Sequence, residues 1–479
     1  MLRTVGDQVS LWEAVLPDEL RRLPGELARV DAWLDDPRFF APFVPFFDPR
    51  IGRPSTPMET YLRLMFLKTR YRLGYESLCR EVSDSITWRR FCRIPLEQPL
   101  PHPTTLMKLT TRCGSAAVAG LNETLLAKAA EQKLLRCTRV RADTTVVPAN
   151  VAYPTDSGLL AGAVRRIAAT ARRIQAAGGA TRTTLRNRSR SAARRAHAIA
   201  SKLRSRAAAG KDEALAAVKK ANGELADLAE TAAREAERLL VNAKRALRKA
   251  SRQAAELKAR GGSDPQAGRR RGRLARAVND LTELLEATQR IAGQTRQRLA
   301  GTTPDGATRR VSLHDPDARP IAKGRLGKPV EFGHKAQVVD NDDGIVLDHD
   351  VQPGNPADPP RLAPALKRVI RRTKRKPPIV AADRGYSQQS VEDDLHDLGV
   401  QSVVIPHKGR PSKARQAYEH RRAFRRHVKW RTGCEGRISA LKRGYGWDRS
   451  RIDTTEGTRI WVGHGVLAHN LVKISALGA

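Results

Sequence analysis

Aromatic side chains are scarce in this chain and absent from one long stretch. They make up 5% of its 479 residues, and none falls between Pro154 and Glu331. A stretch of that kind cannot fill a broad globular core, because rings supply much of the area that cores bury. Cysteines are few. The five, at positions 79, 92, 113, 137 and 434, stand 13, 21, 24 and 297 residues apart, so no Cys-x2-Cys pair can clasp zinc, and the thiols read as reduced and partly buried. The 11 histidines show no paired metal-ligand spacing, and His334 reads as an ordinary surface or core histidine. There is no run of 18 apolar residues, and Met1 to Trp12 lacks the apolar core of a signal peptide. The expectation is a soluble, cytoplasmic protein without membrane attachment. Acidic residues are also in short supply: 50 Asp and Glu stand against 88 Lys and Arg, a formal net charge of +38. A surface so basic attracts polyanions.

Composition divides the chain into four regions. Residues 1–133 read as helical, with apolar spacing in Tyr61, Leu64, Met65 and Leu67, then Leu73-Gly74-Tyr75 as a turn into a second helix. That pattern suits a helix-turn-helix DNA reader and equally a purely structural bundle. Residues 134–153 supply a first strand. Residues 154–310 form an insertion rich in Ala and Arg. Between 161 and 300 there are 33 Lys and Arg against 12 Asp and Glu, so 33 − 12 = 21 of the net positive charges lie there. Small apolar residues recur at heptad-like steps from Val218 and Ala221 to Leu239 and Ala243, with breaks near Gly178-Gly179, Gly210 and Gly261-Gly262. Long helices, paired as an antiparallel hairpin, are expected, either gripping a DNA backbone or waiting for a coiled-coil partner. Residues 311–479 resume the sheet: a hairpin at Val330–Val351 turning at Asn341 to Gly344, a helix from Pro359 to Thr373, a strand ending in Asp383, a helix from Gln389 to Leu398 and a strand at Ser402.

Three islands in these regions carry carboxylates. Arg431, Glu435 and Lys442 sit at about 0°, 40° and 20° around one expected helix. One acid and two bases would share a stripe, the acid able to hold a metal ion and the bases to grip phosphates; a solvated charged face is the alternative. Gly433 and Gly436 weaken such a helix, as if a backbone or substrate approached closely. Asp383 ends the apolar run Ile379 to Ala382, at the strand end where ligands collect in open α/β sheets, although an Asp there also caps turns. Asp143 lies in a strand where Val140, Ala142, Thr144 and Val146 alternate with Arg139, Arg141, Asp143 and Thr145, the pattern of one buried face. By itself it reads equally as an edge-strand acid exposed to water.

Together these islands resemble the DDE transposases of bacterial insertion sequences, in the broad group of families four and five. The Tyr-x2-Arg-x3-Glu-x6-Lys signature of that group is met at Arg431, Glu435 and Lys442 and departs at Val428, where the family has tyrosine; Trp430 is a nearby aromatic. Further text similar to the family includes YPTDSGLL from Tyr153, DPDARPIAKGRLGKPVEFGHK from Asp315, GNPAD from Gly354, AHNLVKI from Ala468 and GRPSTP from Gly52. The resemblance implies an α+β multidomain protein, with a helical N-terminal domain and a ribonuclease H-like catalytic domain interrupted by the basic helical insertion. Periodicity alone supports only a mixed α/β sheet. It also implies Asp143, Asp383 and Glu435 as catalytic, metal-holding residues, with Asp143 bridging two ions. Arg431, Lys442, Arg384 and Lys335 are then expected phosphate contacts, and Asp315, Asp317, Asp350 and Asp358 rank as rival acids. Oxygen ligands favour Mg²⁺, with Mn²⁺ able to substitute. The implied partners are double-stranded DNA, as element ends and target, and a second copy of the chain or more on that DNA. A retired transposase that only binds DNA, and a nuclease without strand transfer, are the alternatives.

Overall fold

The computed structural model describes residues 1–3, 16–204, 211–323 and 329–478, in two compact units: residues 1–150 with 321–479, and residues 151–320. The expected break at Gly210, most of the Met1 to Trp12 segment and Gly324 to Lys328 of the family-like text lie outside the described residues.

The first unit opens with helices α1 (Asp18–Arg21), α2 (Gly25–Leu34), α3 (Met58–Arg70), α4 (Tyr75–Asp84), α5 (Ile86–Phe91) and α6 (Pro103–Glu131). Helix α3 is buried from Met58 to Lys68. Even Arg63 is 0% exposed, its guanidinium 2.7 Å from the Asp31 carboxylate. The helix stops because Arg72 turns left-handed (φ 58°) and Leu73 N–H donates back to Lys68 O at 2.8 Å; Gly74 then starts α4. Two helices joined by the expected turn are therefore present. They do not stand apart from the rest of the unit, since the same apolar core runs from Leu27 through α3 and α6 into the sheet and on to Ile474.

Strand β1 (Arg139–Pro148) leads into the second unit, which holds α7 (Asp156–Ala176), α8 (Ser189–Arg204), α9 (Lys211–Ala259) and α10 (Pro265–Leu299). The 49 residues of α9 and the 35 of α10 form a hairpin that turns at Gly261-Gly262 and restarts where Asp264 caps Gln266 and Ala267. One cluster joins Ala233–Ala243 to Leu274–Leu285, and another joins Val218–Ala232 to Ile291 and Ala292, so the two helices run antiparallel. The absence of rings is met by Ala and Leu ridges in close contact. The seam expected to await a coiled-coil partner is filled in cis, by α7 along its length and by α8 beside α9.

The chain re-enters the first unit through β2 (Arg319–Ala322), followed by β3 (Val330–Asn341), β4 (Val346–Pro353), α11 (Pro359–Thr373), β5 (Ile379–Ala382), α12 (Gln389–Asp397) and β6 (Ser402–Val404). The sheet order is β2-β3-β1-β5-β6, with β4 on β3. β1 is antiparallel to β3 and parallel to β5, so the first strand neighbours the strand that ends in Asp383. The whole insertion thus occupies what would otherwise be the β1–β3 hairpin connection, where Pro148 pairs with Gly333 and Ala149 N–H donates to Phe332 O at 3.0 Å. Helices α13 (Lys413–His420), α14 (Arg422–Arg431), α15 (Gly433–Gly444) and α16 (Thr454–Leu477) complete the unit. α16 is apolar on most sides, as a core helix must be. Its Asn470 closes the edge strand, accepting from Val346 N–H at 2.9 Å and donating to Val346 O at 2.8 Å.

Two expectations need correction. β1 does not have one buried face: Val140 and Ala142 face the main core, while Arg141, Asp143 and Thr145 are all at most 9% exposed, the first two in contact with Trp430 and Arg431 of α14. The pattern misleads because the covered charges are satisfied in place, Arg141 by its cross-strand partner Asp340 at 2.7 Å. Nor do Arg431, Glu435 and Lys442 share one unbroken helix, because the chain steps at Thr432, whose hydroxyl donates to Lys429 O at 2.7 Å.

Candidate active site

Ala142 pairs with Ala382 across parallel strands, so Asp143 and Asp383 are the next residue on each, at the carboxyl end of β5. Asp143 accepts from the N–H of Thr144 at 2.7 Å and from Arg431 Nη1 at 3.1 Å. Burial pushes its carboxyl up to about 6, with the charges of Asp383 and Glu435 adding to the rise, against the Thr144 hydrogen bond and Arg431. Asp383 is raised as well, by burial first and then by the nearby charge of Asp358, while Arg431 and Lys335 oppose the rise. It also accepts from Gly385 N–H at 2.9 Å, so the turn-capping role and a place beside Asp143 belong to the same side chain.

Helix α15 supplies the third acid. Arg431 lies between Asp143 and Glu435, 3.8 Å from the Glu435 carboxylate, whose side chain is 70% exposed. Arg141 fixes the step between α14 and α15: its Nη1 donates to Trp430 O at 2.7 Å, and its guanidinium and that of Arg139 cover the Trp430 ring. A Cβ on Gly433 would lie 2.3 Å from Arg141 Nη1, which explains the glycine; around Gly436 there is open space, so no close approach accounts for that one. Val428, at the signature's tyrosine position, packs with Trp430 and Tyr418 against Ala381, Val404 and Phe424. Cys434 is buried beside the site, with its thiol pushed well up by burial, and does not read as a nucleophile.

The expected phosphate contacts fall in different surroundings. Arg384 is exposed next to Asp383, and Lys442 is half-buried on α15. Lys335 is only 7% exposed, paired with Asp358 at 2.8 Å and donating to Pro356 O at 2.9 Å. Its register opposite Val146 puts it on the other face of β1 from Asp143, so here its charge acts on Asp358 and Asp383 and not on an open surface. His334 is a core histidine, 0% exposed and 3.1 Å from Thr458 Oγ1. Asp358, ranked among the rival acids, proves to be a neighbour of Asp383, its Oδ2 3.5 Å from where a Cβ on Gly385 would stand. Buried Tyr386, which accepts from Gln337 Nε2 at 2.9 Å, was not foreseen; only its place after Asp383 in the PPIVAADRGY island hinted at it.

Oxygen donors of this kind suit a hard divalent cation, and the charge crowding of Asp143 by its two acidic neighbours is of the sort that a cation relieves. The set is not closed in this conformation. Among the described residues no three acidic, His or Cys side chains converge on one point, because Glu435 turns outward.

Comparison with known families accords with this arrangement. A model described as a transposase domain (DUF772) matches residues 15–112, and one described as a transposase DDE domain matches residues 305–471. The chain belongs to the DDE transposases of the insertion-sequence type. The second match contains Asp383 and Glu435 and begins at residue 305, near the end of the insertion, so Asp143 lies outside it and is tied to Asp383 by the β1–β5 register. No curated protein and no solved structure matches the chain. Transposases act on DNA, and those of the DDE class generally use divalent metal ions. No described helix of this transposase is long and apolar enough to cross a membrane.

Proposed function

We propose that this transposase cleaves DNA at the ends of an insertion sequence and transfers the freed strand into a target, with Asp143, Asp383 and Glu435 holding Mg²⁺, for which Mn²⁺ can substitute. The observation that carries the reading is the in-register pair Asp143 and Asp383 beside the Arg431–Glu435 step. Bound ions would acidify the attacking water or hydroxyl and offset negative charge at the scissile phosphate. Asp143 and Asp383 would hold them, Glu435 turning inward to complete the set. Arg431, released from Asp143, would take up a phosphate oxygen, and Lys442, about 10 Å along α15 from Glu435, would hold another phosphate of the same strand. Lys335, paired with Asp358, partly offsets the push of that second negative charge on Asp383.

The insertion contributes grip on the DNA backbone, concentrated at its hairpin tip. From Lys244 to Arg276 there are 12 Lys and Arg and two Asp and Glu. Nearly all are exposed, and among the described residues none of the basic ones joins an ion pair. In the body of the same unit Arg188 pairs with Glu235, Arg195 with Glu224, and Arg296 with Asp227 and Glu230. On α9 the cations from Lys244 to Arg252 span an arc of about 140°, opposite Ala243, Ala246, Leu247 and Ala250. Such a stripe faces away from the bundle and suits phosphates.

Alanine at Asp143, Asp383 or Glu435 should lower cleavage of duplexes bearing the element's own ends by more than about a hundredfold, since several kcal/mol of charge stabilisation is at stake. End binding should survive in each. A variant that cuts at near wild-type rate removes its residue from the set, and activity persisting in EDTA removes the metal. Cleavage without joined product leaves a nuclease. The outward Glu435 favours one second reading, a DNA-binding protein retired from cleavage, and wild-type protein inert with either ion would establish it.

A further inference from the structure

A cavity of about 310 Å³ in the first unit has no part in the reaction proposed above. Its walls include Lys68 and Arg72 from the end of α3, Arg449 and Arg451 from the loop before α16, and Trp461 and His464 from α16 itself. Lys68 is 5% exposed. Its ammonium lies 4.7 Å from the centroid of the Tyr75 ring and 4.4 Å from that of Trp461, and among the described residues no carboxylate pairs with it. The cavity's one acid, Asp448, is engaged by Arg72 at 2.5 Å. His464 places a buried Nε2 on the same wall without a hydrogen-bond partner. Four cations thus surround one carboxylate, and two buried polar groups lack a counterpart that the protein supplies.

Ring faces compensate a buried ammonium only in part; one held by them alone retains much of its desolvation cost. An anion with several acceptor oxygens answers every element of the site. It would pair with Lys68, take the guanidinium groups of Arg449 and Arg451 in forked hydrogen bonds, and accept from His464 in the tautomer protonated at Nε2. We infer that this cavity is a phosphate-binding site. Tyr445, another wall residue, follows directly on α15, about 15 Å along that helix from Glu435. A DNA strand engaged at Glu435 is therefore one source of the phosphate and a free phosphate ion the other; only the first source rests on the function proposed above.

The test uses the full-length protein in EDTA, where phosphate binding is read without cleavage. Calorimetric titration with inorganic phosphate should show a saturable site in the wild type, weakened at least tenfold in both Arg451→Ala and Lys68→Met. Phosphate should raise the melting temperature of the wild type and not that of Lys68→Met, because a ligand stabilises only the form that binds it. In a second arm a duplex oligonucleotide is added first: loss of the phosphate site assigns it to a strand phosphate, and its persistence assigns it to the free ion. Wild-type protein without a saturable site, or unchanged affinity in the variants, overturns the inference and leaves Lys68 a structural cation held by two rings. Should Lys68→Met fail to fold, Arg451→Ala, at an exposed position, decides alone. Because no step requires cleavage, a chain that binds phosphate here but never cuts DNA would sink the proposed function and not this site.

Discussion

Asp143 occupies a place where burial raises its carboxyl, and the consequence is measurable. Its folded-state value near 6 lies above the ordinary 3.8. Below about pH 4 it is protonated in both the folded and the unfolded chain; between 4 and 6 the folded chain keeps a proton that the unfolded chain has lost, so stability falls as pH rises. Above 6 the loss is complete, on the order of 3 kcal/mol. Asp143→Asn should therefore melt higher than the wild type at pH 8 in EDTA, with the advantage shrinking below pH 5. An Asn variant less stable at pH 8 would mean that Arg431 fully compensates the charge. Gly433→Ala tests the neighbouring step. Its methyl would collide with the Arg141 guanidinium, which Asp340 and Trp430 O hold in place. A cost of about 1–3 kcal/mol in denaturant melts is expected, with weaker cleavage as α15 shifts. Unchanged stability would show that Arg141 moves aside freely.

Among the elements, the α9–α10 hairpin divides most sharply into parts with different work. Its apolar clusters end near Leu247 on one helix and Leu274 on the other, and beyond them the exposed tip carries charge without a core. Replacing residues 248–270 by a short turn should leave the melting of the second unit nearly unchanged. Affinity for all DNA sequences should drop, and the log-log dependence on salt should flatten by about 0.9 for each phosphate contact removed. A deletion variant that folds and keeps its salt slope would make the tip a protein-binding element. Leu281→Ala, at a fully buried position of the seam, should instead destabilise this unit by about 2–5 kcal/mol.

At the scale of the whole molecule, the boundary expected near residue 133 is bridged by packing. Leu467, Ala468, Leu471 and Ile474 of α16 belong to the same cluster as Leu27, Met58 and Leu64, and Ser115 is held by Glu456 through N–H at 2.7 Å and hydroxyl at 2.8 Å. A fragment of residues 1–133 should lack a cooperative thermal transition, since α16 completes its core. The opposite holds for residues 151–320, of which no described residue belongs to that cluster. Replacing them by a short Gly/Ser linker should leave a folded first unit, because Pro148 and Gly333 are already cross-strand partners. If the fragment melts cooperatively, or the excised chain does not, the shared core is not what holds the first unit together.

Local chemistry was enough to fix the elements around the site. Hairpin turn residues at Asn341 to Gly344, Pro-Pro before Ile379 and the glycines at 178–179 and 261–262 punctuate the observed strands and helices, because turn and helix-end preferences act within a few residues. The carboxylates at 143, 383 and 435 also stand out in the sequence, each at the end or centre of a short recognisable run. The nearness of Asp143 to Asp383 does not. Asp143 reaches Asp383 only through the pairing of β1 with β5 across 240 residues, and the basic insertion between them hides that neighbourhood from any local pattern. Tertiary contacts alone also buried both faces of β1, withdrew Lys335 to Asp358 and joined the N-terminal helices to α16. The reason is physical: propensity and periodicity report on neighbours along the chain, whereas which polar face is covered, and by what counter-charge, depends on groups that only the fold brings together.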